Sequence, residues 1–144
     1  MTRPALLALV ALLSSAAPLL ADDHAPTTQA VPMTAEEFDA YTLGRTLSYA
    51  VEGTPYGIEQ YLPDRHVRWT FIGDQCQDGI WYEKAGNICF AYDNNPTSEQ
   101  CWRFYAEGDR LRAVFQGPGG PSTELYEVQQ SDAPLGCLGP GVGV

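Results

Sequence analysis

The sequence contains little positive charge and almost no lysine. Eight lysine and arginine residues stand against 18 aspartate and glutamate residues, so the formal net charge at pH 7 is −10, and Lys84 is the single lysine. A strongly acidic protein is repelled by phosphate backbones and by anionic lipid headgroups. We therefore expect no nucleic-acid partner. The simplest explanation of the charge is solubility, and the alternative is a cationic partner.

The motifs of several enzyme and metal-site classes are also missing. The four cysteines show no C-x-x-C spacing, and no loop has the acidic alternation of an EF-hand. The serines occur in no G-x-S-x-G or S-x-x-K context. His66 has arginines at positions 65 and 68 rather than a nucleophile or an orienting carboxylate beside it. We predict no catalytic residue, no metal site and no cofactor.

Carboxylates leave one enzymatic alternative open. Glu83 paired with Glu59 or with Glu52 would in principle supply the two carboxyl groups that acid–base hydrolysis requires. Nothing in the sequence selects a pair, and acidic residues at turns are usually solvated. A hydrolase that uses an unidentified carboxylate site or His66 is therefore an alternative to a non-catalytic protein.

Long apolar runs are absent except near the start of the chain. Residues 1–21 contain Arg3, then nine consecutive apolar residues, then small residues, a pattern typical of a secretory signal peptide. Nine residues are too few to span a bilayer. We expect cleavage after Ala21, which leaves a charge of −11 because Arg3 is lost. We also expect a flexible linker over residues 22–33 and a periplasmic or extracellular mature chain without a membrane span.

Residues 79–104 predict antiparallel strands in a definite register. Residues 85–86 and 93–98 have turn composition, and the flanking runs are aromatic and β-branched. When Cys89 is placed opposite Cys101, with two-residue turns at 85–86 and 108–109, the large apolar side chains fall on one face. That face contains Trp81, Ile88, Phe90, Tyr92, Trp102, Phe104, Leu111, Ala113 and Phe115. The other face contains Tyr82, Cys89, Cys101, Arg103, Tyr105 and Arg112.

The four cysteines of an exported chain predict two disulfides. Four cysteines allow three pairings; the register above favours Cys89–Cys101, which leaves Cys76–Cys137 by elimination. Loop-closure entropy assigns these bridges about 3 and about 4 kcal/mol of stability respectively. Such values rival the net stability of a small domain, which is about 5–15 kcal/mol.

One helix and eight strands account for the remaining pattern. Thr34 and Glu37 form a capping box, and Gly44 is placed to end the helix. We predict strands near residues 46–51, 57–62, 66–71, 78–84, 87–92, 100–106, 110–115 and 123–128. Eight short antiparallel strands predict an up-and-down barrel or curled sheet over residues 34–137, followed by a disordered tail over 138–144. An immunoglobulin-like sandwich is disfavoured because the disulfide joins neighbouring strands.

The arrangement resembles the small lipocalin and calycin barrels, and Gly79-Ile80-Trp81 corresponds to their G-x-W. In lipocalins that tripeptide lies on the first strand, whereas here it falls in the fourth, so the resemblance implies an architecture and transfers no pocket residue. Residues 34–128 more closely resemble short exported bacterial proteins of unknown function. The shared motifs are Gly44-Arg45-Thr46, Gly79-Ile80-Trp81, Cys89-Phe90-Ala91-Tyr92 and Cys101-Trp102. This resemblance implies the fold and the Cys89–Cys101 bridge, but no activity.

Five rings on the apolar face are candidates for binding a small apolar ligand. They are Trp81, Phe90, Trp102, Phe104 and Phe115. An eight-stranded barrel either fills with its own side chains or holds one ligand, and rings this large favour filling.

The opposite face offers a second candidate surface, made of Arg103, Tyr105 and Arg112. Tyr105 is predicted to lie opposite Arg112, where the two would form a cross-strand cation–π contact or help to bind a protein or an anionic ligand. We therefore predict an exported, non-catalytic protein that binds a small molecule or an envelope protein. The alternative is an interaction or inhibitor module that uses the arginine and tyrosine face.

Overall fold

The computed structural model describes residues 30–137. The predicted signal peptide, residues 22–29 of the predicted linker and the predicted tail over 138–144 lie outside the described residues. The elements are α1 (Ala35–Thr42), β1 (Thr46–Val51), β2 (Thr54–Tyr61), a 3₁₀ turn (Pro63–Arg65), β3 (His66–Phe71), β4 (Gln77–Lys84), β5 (Asn87–Tyr92), β6 (Gln100–Glu107), β7 (Arg110–Gly117) and β8 (Gly120–Ser131). Between residues 30 and 137, no helix is both long and apolar enough to cross a bilayer.

The eight strands form a closed up-and-down barrel. Each strand pairs antiparallel with the next in sequence, and β1 also pairs with β8. This topology confirms the predicted fold class, is consistent with a lipocalin-like architecture and excludes the sandwich. Because the barrel is closed, one set of alternating side chains on every strand must share a single interior.

The register predicted around the central hairpins is confirmed. Cys89 pairs with Cys101, and Trp102 pairs with Phe115. At the β4–β5 turn both residues have positive φ, 51° at Ala85 and 74° at Gly86, as a type I′ hairpin turn requires. Of the nine side chains predicted to face inward, seven are buried and two are half-buried.

Both predicted disulfides are present. Cys89–Cys101 joins β5 to β6, and Cys76–Cys137 joins the β3–β4 connection to the segment after β8. The second bridge closes a sequence separation of 61 residues, against 12 for the first. It therefore attaches the segment after the last strand to the connection between the third and fourth strands.

The boundaries of β2, β4, β6, β7 and β8 differ from the sequence prediction by one to three residues. β2 begins at Thr54 rather than at residue 57. The predicted loop at 116–121 is wrong, because Gly117 pairs with Gly120 and the two strands continue to a tight turn. Gly120 has a φ of +96°, which glycine adopts without steric cost. Glycine and proline in this segment therefore mark a turn between longer strands rather than a loop.

α1 begins at the predicted capping box. The amide of Glu37 donates to Thr34 Oγ1 at 3.2 Å, and the amide of Thr34 donates to Glu37 Oε2 at 2.8 Å. Just before the box, the amide of Met33 donates to the carbonyl of Phe104 at 2.7 Å, so the last residue of the predicted linker is attached to β6. These bonds fix where the helix starts relative to the barrel.

Phe38 closes one end of the barrel. It is fully buried, and its ring centroid lies 4.4 Å from that of Phe104, 5.1 Å from Trp81 and 5.6 Å from Tyr61. Aromatic contacts of this kind stabilise by about 0.5–1.5 kcal/mol each beyond the area they bury. We call this the helix end, and we call the opposite end, which carries the β1–β2, β3–β4, β5–β6 and β7–β8 connections, the mouth.

We expect Phe38→Ala to lower the free energy of unfolding by about 3–5 kcal/mol, because it empties the space between the rings at the helix end. Leu43→Ala is the control, since Leu43 lies at the end of the same helix and is 51% exposed; its effect should stay within about 0.5 kcal/mol. Urea unfolding followed by tryptophan fluorescence measures both. Similar small losses for the two variants would show that the helix does not close the barrel.

Candidate functional site

A recess opens from the mouth into the barrel. Nine of its twelve lining residues are aromatic, and the others are Glu59, Gln100 and Leu125. The recess measures about 420 Å³ when the space open to solvent is included, but the room that a water-sized group can occupy is about 30 Å³. That room suffices for about two water molecules. Most of the interior is therefore filled by side chains, and the remaining space accepts only a slender group.

Glu59 is the one ionisable carboxyl group in the lining of this recess. It is 3% exposed; its Oε2 accepts a hydrogen bond from the Tyr92 hydroxyl at 2.9 Å, and its Oε1 is buried without a hydrogen-bond partner among residues 30–137. Burial raises the pKa of Glu59 to about 8, and the Tyr92 bond opposes this only in part. The carboxyl group is thus largely protonated at neutral pH, and one of its oxygens is free to bond a ligand.

Strand pairing directs Glu59 into the barrel. Directly paired residues lie on the same face of a sheet, and Glu59 pairs with Leu47 on β1 and with Trp69 on β3. Both partners are buried inside the barrel. Because two hydrogen-bonded neighbours hold β2, the carboxyl group cannot rotate to solvent without a slip in register.

Two glycines allow large rings to lie beside Glu59. A Cβ atom at Gly57 would be 2.3 Å from the Trp69 ring, and one at Gly79 would be 2.9 Å from the Tyr92 ring. Side chains do not tolerate such distances, so only glycine permits these rings to lie flat on the sheet. Gly79 opens the G-x-W tripeptide, and in this protein it makes room for the ring whose hydroxyl bonds Glu59.

The other buried phenols of the recess are paired with each other. The hydroxyls of Tyr49 and Tyr61 are 2.9 Å apart, and both side chains are buried. Burial raises the pKa of each phenol well above its usual value of about 10. These groups therefore remain neutral at physiological pH and provide rings and hydroxyl dipoles rather than charge.

The structure places the five rings predicted to bind a ligand in two groups. Phe90, Trp102 and Phe104 line the recess. Trp81 is buried at the helix end, and Phe115 is half-buried with its ring centroid 5.0 Å from that of Trp102. The recess thus uses the predicted rings that lie nearest the middle of the barrel.

Neither Glu59 nor Tyr92 stands out as a binding residue in the sequence. A signal for Glu59 does exist, because residues two apart in a strand share a face and Tyr61 is a large ring. If the apolar Ile58 and Leu62 are instead placed inside the barrel, Glu59 faces outward. The choice between the two depends on the pairing with β3, which the sequence does not define.

The predicted surface residues Arg103, Tyr105 and Arg112 lie together on the outside of β6 and β7. Tyr105 pairs with Arg112, whose guanidinium carbon is 4.5 Å from the centroid of the tyrosine ring. Arg112 also forms ion pairs with Glu107 and, at 3.7 Å, with Glu124. The charge of Arg112 is therefore already balanced within the protein.

The residues of the hydrolase alternative are separated. Glu52 lies in the β1–β2 turn at the mouth, whereas Glu83 lies near the β4–β5 turn at the helix end, and both are exposed. His66 is also exposed, and its Nδ1 lies 3.3 Å from the carbonyl oxygen of Pro63. Among the described residues, no second carboxyl group joins Glu59 in the recess. The pair of carboxyl groups that glycoside hydrolysis uses is not assembled there.

Comparison of the chain with protein-family models, with curated proteins and with solved structures finds no match in any of the three.

The buried carboxyl group predicts a specific dependence of stability on pH. The pKa of Glu59 is about 8 in the folded protein against about 4.5 in the unfolded chain. The contribution of the protonated carboxyl group to the free energy of unfolding is therefore complete below pH 4.5 and is lost as the pH rises to 8. Between these values the free energy of unfolding should fall by about 1.4 kcal/mol per pH unit relative to Glu59→Gln, which is neutral throughout. Above pH 8 the variant should be more stable by a few kcal/mol.

Urea unfolding of both proteins at pH 4.5 to 9 measures this difference. Glu36→Gln is the matched control, because it makes the same change on the exposed surface of α1. Its difference from the parent protein should not vary over this range. A difference between Glu59→Gln and the parent that is constant with pH would show that Glu59 is ionised in the folded state.

Proposed function

We propose that this protein is an exported, non-catalytic binding protein that accepts a small ligand in the recess at the mouth of its barrel. The observation that carries the proposal is the free Oε1 atom of Glu59, buried in a ring-lined space with room for a slender group. A buried oxygen without a hydrogen-bond partner costs the protein about 1–3 kcal/mol in lost solvation. A ligand that donates a hydrogen bond to this oxygen recovers that free energy. Apolar walls with one placed polar group are typical of small-molecule sites.

Export is part of the same proposal. It is supported by the signal-peptide pattern of residues 1–21 and by two disulfides, which persist in oxidising compartments. The volume restricts the ligand. With about 30 Å³ available to a water-sized group, the deepest part accepts a small head group, and any bulkier part of the ligand lies toward the solvent-open mouth.

An interaction module is a second candidate, favoured by one observation. Residues 30–32 and the arginine and tyrosine face line a surface groove of about 450 Å³. The side chain of Val31 is 81% exposed beside this groove. A protein segment would have to bind beside Arg103, because Arg112 is already paired with Glu107 and Glu124.

The three tryptophans provide a direct test of the recess. Trp69 and Trp102 line it, whereas Trp81 is buried at the helix end. We expect 1-butanol, n-butylamine or butyrate to shift the indole N–H signals of Trp69 and Trp102 in NMR spectra while the Trp81 signal stays in place. Gly57→Ala should abolish the shifts, since the added Cβ displaces the Trp69 ring.

Gly119→Ala is the matched control for that variant, because a Cβ at Gly119 meets no atom within 4 Å. It should bind the probes as the parent protein does. If none of the three compounds shifts Trp69 or Trp102, the proposed site is wrong. Shifts confined to residues of the groove beside Arg103 would favour the interaction module instead.

A further inference from the structure

The lining of the recess favours a cationic ligand group. Rings contributed by five different strands, among them Tyr49, Trp69, Phe90, Trp102 and Phe104, line the same recess as Glu59. The faces of aromatic rings carry negative potential and attract cations, and rings arranged as a cage recognise ammonium groups. No lysine, arginine or histidine of the described part of the chain lines the recess. An anionic group would therefore find no partner there, whereas an ammonium group would find both rings and an acceptor.

The charge at the mouth points the same way. The four connections at the mouth, residues 52–53, 72–76, 93–99 and 118–119, contain four acidic residues and no lysine, arginine or histidine, whereas the connections at the helix end contain two arginines and two aspartates. Glu99 pairs with Lys84 on the outside of the barrel, which leaves Glu52, Asp74 and Asp93 as exposed acidic residues in the connections at this end. A cleft lined by one sign of charge concentrates ions of the opposite sign.

The available volume sets the shape of the ligand. About 30 Å³ accepts a primary ammonium head and its first carbon, but not a drug-sized body. Resting on the proposed function, we infer that the group bound beside Glu59 is the protonated amino group of a slender organic amine, with the Glu59 carboxylate as its ion-pair partner. Oε1 accepts from the ammonium group, and Oε2 keeps its bond from Tyr92.

Binding of an ammonium group requires Glu59 to give up its proton. In the empty site the carboxyl group is largely neutral at pH 7, because its pKa is about 8. The ammonium group keeps its own protons, so the Glu59 proton leaves to solvent, and one proton is released for each amine bound. Alkylamines resemble the lysine side chain, whose pKa is about 10.4, and stay protonated over this range.

The other titratable groups facing Glu59 are all phenols. They are the phenols of Tyr49 on β1, Tyr56 and Tyr61 on β2, and Tyr92 on β5. Burial raises the pKa values of Tyr49, Tyr61 and Tyr92 well above 10. The apparent affinity for an amine should therefore rise by up to about tenfold per pH unit below pH 8 and level off above it.

A matched set of probes tests the inference: n-butylamine, 1-butanol and butyrate share one chain and differ in the head group. We expect n-butylamine to bind most tightly at pH 8 and to weaken by about tenfold per unit as the pH falls to 6. Calorimetry at pH 7 in two buffers of different ionisation enthalpy should report close to one proton released per amine. The indole signals of Trp69 and Trp102 locate the binding.

Glu59→Gln should lower the affinity for n-butylamine by about 10–100-fold at pH 8, because a hydrogen bond to a charged group contributes about 1.5–3 kcal/mol. Glu36→Gln, on the exposed helix surface, should bind the amine like the parent protein. The measurement of proton release needs no variant, so it tests the inference even if Glu59→Gln fails to fold.

The outcomes separate this inference from the proposed function. If 1-butanol binds most tightly, with an affinity that is level up to pH 8 and falls above it, the site holds a neutral ligand. The amine assignment is then wrong, and the binding function stands. Preferred binding of butyrate in the recess also overturns the assignment. If no probe shifts Trp69 or Trp102, both proposals fail together.

Discussion

The limited interior of a closed eight-stranded barrel governs the rest of this structure. A barrel of this size is just wide enough to be filled by its inward side chains, so large rings at successive levels leave little space. Phe38 takes up the space at the helix end, where it packs against rings from four strands. The remaining space therefore lies at the mouth, and its position follows from where the helix attaches rather than from the strands alone.

The register between β4 and β7 was predictable because the residues of its turns limit how the flanking strands can align. A two-residue turn with positive φ at both positions permits few alignments of the flanking strands, and the Cys89–Cys101 bridge permits fewer. Four strands with alternating large rings then agree on which face is inside. Local turn chemistry, side-chain period and cysteine position thus select the same arrangement, which is why this half of the barrel could be read from the sequence.

The site was much less predictable, because it depends on the other half of the barrel. β2 and β3 are joined through a 3₁₀ turn in which Asp64 and Arg65 both have positive φ, a conformation uncommon for residues other than glycine. The residue types of Pro63-Asp64-Arg65 do not predict this backbone conformation, so the alignment of Glu59 with Trp69 could not be derived. An isolated glutamate in a strand is ordinarily solvent-facing. Its burial follows from a pairing between strands, and such a pairing is a property of the folded chain.

Comparison of the two acidic side chains buried in the barrel shows why the proposed site is assigned to Glu59 rather than to Glu127. Both have an Oε1 atom without a hydrogen-bond partner among the described residues. Oε2 of Glu127 accepts from the Tyr41 hydroxyl at 2.7 Å and from the Leu111 amide at 2.9 Å, so this side chain joins α1 to β7 and β8. Among the described residues, the Glu59 carboxyl group is hydrogen-bonded only to Tyr92, and it lies in the recess that opens at the mouth. An apolar side chain in its place would pack among the rings without the desolvation that a carboxyl group suffers. This carboxyl group adds little to the stability of the fold, whereas a hydrogen bond donated to Oε1 by a ligand would contribute directly to the free energy of binding.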